Sequence, residues 1–264
     1  NKFIRCRLSF YFENLLRVPM ARSATMGYGS AIHYALEMYF KTMEVDPERK
    51  SPDPDTLTTH FIKGMKIYRS HFTQMEFDNF NILGEKILRE YYDEYKDQWN
   101  TAKQTISEKN IKHTSIGEIP IKGKIDKVEI YDDHVKVIDY KTGTYKKDKL
   151  AGVSDEDQGG DYWRQLVFYK LLVDNDPTLD WKMKSGTMDF VEKAKTKVKY
   201  DKIELPISSQ DEEAVTKQLQ ESWTAIHNYE FEQFCEDENC RWCNFVRDTS
   251  MIQPVELDES YNEE

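Results

Sequence analysis

Cysteine is scarce in this chain. Four in 264 residues, Cys6, Cys235, Cys240 and Cys243, are too few for a disulfide-dense secreted scaffold. No apolar run approaches the roughly 18 residues that span a bilayer. The opening residues, Asn1-Lys2-Phe3-Ile4-Arg5, carry neither an initiator Met nor a signal-peptide pattern. There is no internal repeat, and no G-x-x-x-x-G-K-[ST] phosphate loop that would mark an ATPase. Positive charge is also short: 37 Lys and Arg stand against 48 Asp and Glu, a net charge of −11. On its face that balance argues against a nucleic-acid binder. These absences predict a soluble protein of a reducing compartment, the cytoplasm, with no membrane partner. The first residues fit either a domain excised from a longer chain or a trimmed stand-alone protein.

What is present supports a packed core. Hydrophobic residues make up 39% and aromatics 13%, and at about 150 residues per domain the length allows one to two domains. Apolar spacing predicts helices over the first forty residues, with Pro19 as a break and a second helical pattern from Ser30 to about Met43 after Gly27 and Gly29. Asp55 is a candidate N-cap, and Thr56 to Lys103 reads as helical with a break near Phe77–Phe80. From Ile116 to Lys141 the period changes to that of strands. An acidic, glycine-rich loop from Gly152 to Gly160 precedes a helix from Asp161 to about Val173. Two strands with a lysine-rich turn follow over 182–207, then a last helix over 210–230. This order predicts an α/β (α+β) fold with one central sheet.

The stretch from Gly123 to Lys141 carries the most information. If Asp132-Asp133 is a two-residue turn, Tyr131 faces His134, Ile130 faces Val135, Val128 faces Val137, and Asp126 faces Asp139. Two carboxylates then stand side by side, which destabilises a sheet and raises one carboxyl pKa. A divalent cation between them reverses the sign of that interaction, and Mg²⁺ suits one or two carboxylates with water and a phosphate. Lys141 lies two residues beyond Asp139 and so projects from the same face. Its side chain can orient a water as the ammonium or deprotonate one as the neutral amine, a set of groups suited to metal-assisted phosphodiester hydrolysis. A solvated strand end accounts for the same residues equally well, and a one-residue slip would turn Asp126 to the other face.

Asp126 followed by Asp139-Tyr140-Lys141-Thr142-Gly143 resembles the D…DxK signature of the PD-(D/E)xK nucleases. Gly123-Lys124-Ile125-Asp126 is similar to their G-x-(I/V/L)-D strand. Gly29-Ser30-Ala31-Ile32-His33-Tyr34-Ala35-Leu36-Glu37 resembles the G-x-x-x-H-x-x-x-E motif of the RecB-type branch, and Gln165-Leu166-Val167-Phe168-Tyr169 its Q-x-x-x-Y motif. The motifs occur in the family's order. The resemblance implies a restriction-endonuclease-like mixed sheet flanked by helices, with a helical N-terminal insertion. It implies Mg²⁺ or Mn²⁺ held by His33, Asp126, Asp139 and the backbone carbonyl of Tyr140, with Lys141 acting on the attacking water. Gln165 and Tyr169 would contact DNA or hold the catalytic strands. Glu37, one turn beyond His33, is a candidate partner for the imidazole, and a surface salt bridge serves as well. A single nuclease domain is expected over 1–250, with its helical part about 30–110, its catalytic sheet about 116–207, a cysteine segment at 231–250, and an acidic tail at 251–264.

The cysteines resemble the iron–sulfur-bearing branch of the same nucleases, in which an N-terminal Cys joins a C-terminal C-x₂-C-x₅-C around a [4Fe–4S] cluster. Cys6 fits the first position and Cys240-Arg241-Trp242-Cys243 the C-x₂-C, while the last ligand's position is Thr249. Cys235 can complete a set of four from the other side. The resemblance implies [4Fe–4S], with Zn²⁺ or no metal as rivals.

The expected function is a metal-dependent DNA nuclease, an exonuclease on single-stranded or duplex ends. Its helicase motor for repair or recombination would lie in the same longer chain or in a partner subunit. The competing readings are a nuclease fold that has lost catalysis and holds DNA or a partner, and a structural metal-bound domain. The negative balance does not exclude DNA, because charge is unevenly spread. Acids gather at Glu256, Asp258, Glu259, Glu263 and Glu264. Lysines gather near the expected site (Lys122, Lys124, Lys127, Lys141, Lys146, Lys147, Lys149) and on the later strands from Lys182 to Lys202.

Overall fold

The computed structural model describes residues 1–154, 157–194, 197 and 199–249. The expected acidic tail at 251–264 and Lys195 lie outside them. The elements run α1 (Lys2–Arg5), α2 (Arg7–Phe10), a π turn (Tyr11–Leu15), α3 (Ala24–Val45), α4 (Pro54–Ile67) and α5 (Gln74–Tyr95). Then come β1 (Gln104–Ile116), β2 (Ile119–Ile130), β3 (Val135–Lys141), α6 (Asp161–Asp174), β4 (Met183–Phe190), β5 (Lys202–Pro206), α7 (Ser209–His227) and α8 (Arg241–Thr249). Two compact units form: one from Ala21 to Lys217, the other from Asn1–Met20 with the described residues from Gln218 to Thr249. No helix among the described residues is long and apolar enough to cross a membrane.

The larger unit is a five-stranded mixed sheet in the order β1-β2-β3-β4-β5, flanked by helices, the α+β architecture expected. Among the described residues only β3 and β4 pair in parallel, and the crossover that a parallel pair requires contains α6. Both strands are buried on their two faces over most of their length, although β3 carries Asp139 and β4 carries Ser185, Thr187 and Asp189. Ile138 and Tyr140 join a cluster with α3, α4 and α5, built on Leu36, Tyr39, Phe40, Phe61 and Tyr91. Burying each such side chain contributes about 1.5–3 kcal/mol before conformational entropy. Strand alternation turns Asp139 to the opposite face, toward α6. That helix lies so close to the sheet that a Cβ on Gly123 would stand 2.4 Å from Leu172 Cδ1.

Three sequence boundaries move. The sheet begins at Gln104, inside the stretch read as helical, instead of near 116. Strand β1 shows few buried apolar side chains and its register shifts between Ile111 and Thr114, so its alternation is not legible. Helix α3 starts at Ala24, capped by the Ser23 hydroxyl, and takes in both glycines. Gly27 is needed within it because a Cβ there would meet His71 Cβ at 2.7 Å. The helical stretch breaks at Tyr68–Thr73, where Thr73 and Glu76 form a reciprocal capping box that starts α5. Phe77 and Phe80 therefore pack within α5 and do not interrupt it.

The smaller unit has two apolar clusters. Phe3, Ala225 and Phe231 form one. Cys6, Leu8, Cys240, Trp242, Cys243 and Val246 form the other, with the Trp242 ring stacked on Phe12 at 4.4 Å and its N–H donating to Glu13.

Candidate active site

The hairpin register is as read from sequence: Ile130 faces Val135, Val128 faces Val137, and Lys127 faces Ile138. Regular pairing stops there. At the next position Asp126 Oδ2 accepts the backbone N–H of Tyr140 at 2.9 Å, so a carboxylate takes the place of a ladder carbonyl. The same oxygen lies 3.2 Å from His33 Nδ1, which brings α3 against the end of the hairpin.

Asp139 is 2% exposed and engages both its oxygens. Oδ1 accepts from Gln165 Nε2 at 2.7 Å and from the Tyr169 hydroxyl at 2.8 Å. Gln165 and Tyr169, one turn apart on α6, also bond each other at 2.7 Å. Oδ2 lies 2.6 Å from Lys141 Nζ, close but not aligned as a hydrogen bond. Lys141 instead donates to Gln165 Oε1 at 2.9 Å. Gln165 and Tyr169 thus tie α6 to β3 through Asp139. Burial, then the charge of Asp126, raises the Asp139 pKa above its ordinary value despite Lys141. Burial pulls the His33 pKa down, but its hydrogen bond to Asp126 and the charges of Asp126 and Asp139 outweigh this and raise it.

Sequence reasoning missed Glu108. On β1 it has a left-handed backbone, φ 55°, uncommon for a residue other than glycine. Its carboxylate joins His33 and Asp126, with one ligand atom from each within 4.8 Å of the others. Asp139 is not in this trio, since its oxygens are turned to Lys141 and α6. Glu108 Oε2 is buried and abuts the Lys124 ammonium without an aligned hydrogen bond. The trio lines a cleft of about 500 Å³ with Tyr34, Glu37 and Lys124. The buried Glu108 Oε2, with the Asp126 carboxylate and the His33 imidazole beside it, fits a hard divalent cation. A backbone irregularity that re-aims one side chain has no signature in composition or periodicity.

Other expected residues divide. Glu37 lines the cleft but pairs with Lys41 at 2.5 Å, the salt bridge weighed against imidazole orientation. Lys122, Lys146 and Lys147 are exposed. Lys127 is a correction: it is 2% exposed, paired with Glu129 at 2.8 Å and set 4.3 Å from the Phe40 ring centroid, so it adds nothing to a basic surface. Lys141 and Lys149 lie 4.9 and 4.8 Å from the Tyr162 ring.

The four cysteines converge within the smaller unit. Cys6 Sγ is 3.7 Å from Cys240 Sγ and 3.6 Å from Cys243 Sγ, and Cys235 Sγ is 3.6 Å from Cys243 Sγ. Thr249, where a fourth ligand was sought, turns its hydroxyl to the Phe245 carbonyl of its own helix.

No curated protein matches the chain. Among solved structures, a candidate exonuclease from Eubacterium rectale is similar over 98% of this chain and 87% of that one, with TM-score 0.53 and 13% identity, a likeness of fold. SSO0001 (16% identity, 95% of each chain, TM-score 0.31) and VC1899 from Vibrio cholerae (12%, 79% of this chain and 53% of that one, TM-score 0.23) are too distant to carry an argument. The family model of the PD-(D/E)XK nuclease superfamily matches residues 1–247, which takes in the D…DxK hairpin, the helix bearing His33 and the helix bearing Gln165 and Tyr169, and the chain belongs to that superfamily.

Proposed function

We propose that this nuclease is a metal-dependent deoxyribonuclease of the RecB type that acts in the cytoplasm as an exonuclease on DNA ends. It would serve as the nuclease module of a repair or recombination helicase, with the motor in the same longer chain or in a partner subunit. The observation that carries the catalytic reading is the convergence of His33 from α3, Asp126 from β2, and Asp139 and Lys141 from β3 at one end of the sheet. His33, Asp126, Asp139 and the Tyr140 carbonyl, joined by Glu108, would hold Mg²⁺ or Mn²⁺, which supplies Lewis acidity toward a phosphodiester oxygen. Lys141, steadied by Gln165, orients a water or takes its proton. Tyr169 and Gln165 keep Asp139 in place.

The test incubates the protein with single- and double-stranded DNA ends in Mg²⁺ or Mn²⁺, beside Asp139→Ala and Lys141→Ala. The wild type should shorten DNA only with the metal, and each variant should lose about 10²-fold or more in rate. Metal-dependent cleavage no greater in the wild type than in the variants would sink the reading.

A further inference from the structure

We infer that Cys6, Cys235, Cys240 and Cys243 hold a single tetrahedral Zn²⁺, and not the [4Fe–4S] cluster that the family resemblance implies. The space between the four sulfurs decides the metal. Neighbouring sulfurs stand 3.6–3.7 Å apart, and all four lie within 4.8 Å of one another. A tetrahedral zinc with bonds of about 2.3 Å sets its sulfurs about 3.8 Å apart. In a cubane each thiolate binds its own iron, and the whole iron–sulfide cube lies between the sulfurs. Sulfurs in van der Waals contact leave no space for it. They are also too far apart for disulfides, whose bond is about 2.05 Å, and all four thiols are free.

The surroundings fit a closed structural site. Cys240 and Cys243 form a C-x₂-C pair at the start of α8, a spacing common among zinc ligands. The Ser9 N–H donates to Cys6 Sγ at 3.3 Å, and the Cys235 N–H points to Cys243 Sγ at 3.5 Å. The Ser9 hydroxyl lies 3.7 Å from Cys240 Sγ. Such donors offset the charge that four thiolates keep around a divalent ion. Phe12, Val18, Trp242 and Val246 pack around the cluster and leave four protein ligands with no open coordination position. Zinc would join the first twenty residues to the C-terminal segment of a unit whose own apolar clusters are small, the setting in which a metal staple adds most.

The test is made on the whole chain purified without oxygen. Expected are about one zinc per chain, no acid-labile sulfide, and no broad visible absorbance. Replacement by Co²⁺ should give the intense visible bands of a tetrahedral four-thiolate ion. The thiols should resist Ellman's reagent until a chelator is added. Cys235→Ser should lower zinc affinity at least about tenfold and shift the cobalt spectrum. Should that variant fail to fold, the wild-type cobalt spectrum decides alone. Iron with equimolar sulfide, two disulfides by mass spectrometry, or thiols that stay freely reactive when zinc is supplied would each overturn the assignment. None of these readouts depends on nuclease activity.

Discussion

Asp126 accepts the backbone N–H of Tyr140 through the same oxygen that meets His33. One carboxylate thus ends the β2–β3 ladder and orients the imidazole. The two jobs separate by substitution. Asp126→Asn keeps an acceptor for Tyr140 and should melt close to wild type in the absence of cation. Asp126→Ala strands a backbone donor and should cost about 1–3 kcal/mol. Both should lose cation-induced stabilisation. Thermal unfolding with and without Mn²⁺ measures the two effects, and equal melting of both variants would remove the structural role.

Glu108 holds a left-handed backbone on β1 and faces His33 and Asp126. Strain of this kind persists where function requires it. Glu108→Gln should weaken Mn²⁺ binding about 10–100-fold. Glu108→Gly should weaken it as much while raising the unfolding temperature, because glycine relieves the backbone. Manganese titration by electron paramagnetic resonance checks the first outcome and calorimetry the second. Unchanged affinity would exclude Glu108 from the cation site.

Protons and the cation compete for the same atoms. His33 and Asp139 both have raised pKa values, the first from Asp126 against burial, the second from burial and the Asp126 charge. A raised pKa means the group holds its proton at higher pH than usual. Cation affinity should therefore fall as pH drops through the raised His33 pKa, where the imidazole takes up its proton, and fall further as Asp139 protonates. Titration calorimetry in buffers of different ionisation enthalpy should show proton release on binding near neutral pH. Binding without proton release there would contradict the His33 assignment.

The buried pair Lys127–Glu129 gives a stability prediction. Burial raises the Glu129 pKa, but the Lys127 charge and hydrogen bond outweigh it and leave the pKa lowered. The pair's contribution is thus full above the ordinary glutamate pKa and lost as pH falls through the depressed one. Glu129→Gln leaves the Lys127 ammonium buried without its counter-charge and should cost about 3–5 kcal/mol. Adding Lys127→Met should recover much of that loss, since its stem already packs on Phe40. Urea unfolding of the three proteins reads the difference.

The hairpin from Gly123 to Lys141 was legible because a turn and two-residue alternation leave its register no freedom, and the order of motifs around it pointed to the family. The residue pattern alone was enough for the central strands and for the hairpin register as far as Lys127 and Ile138. Tertiary structure alone decided the rest. It placed β1 by pairing with β2 where apolar alternation is weak, and turned Glu108 toward His33 by a local backbone conformation. It buried Lys127 against Phe40 although its sequence neighbours made it look like surface charge. It also drew Cys235 beside Cys243 and Cys6, since proximity across a fold depends on packing between segments whose separation along the chain carries no trace of it.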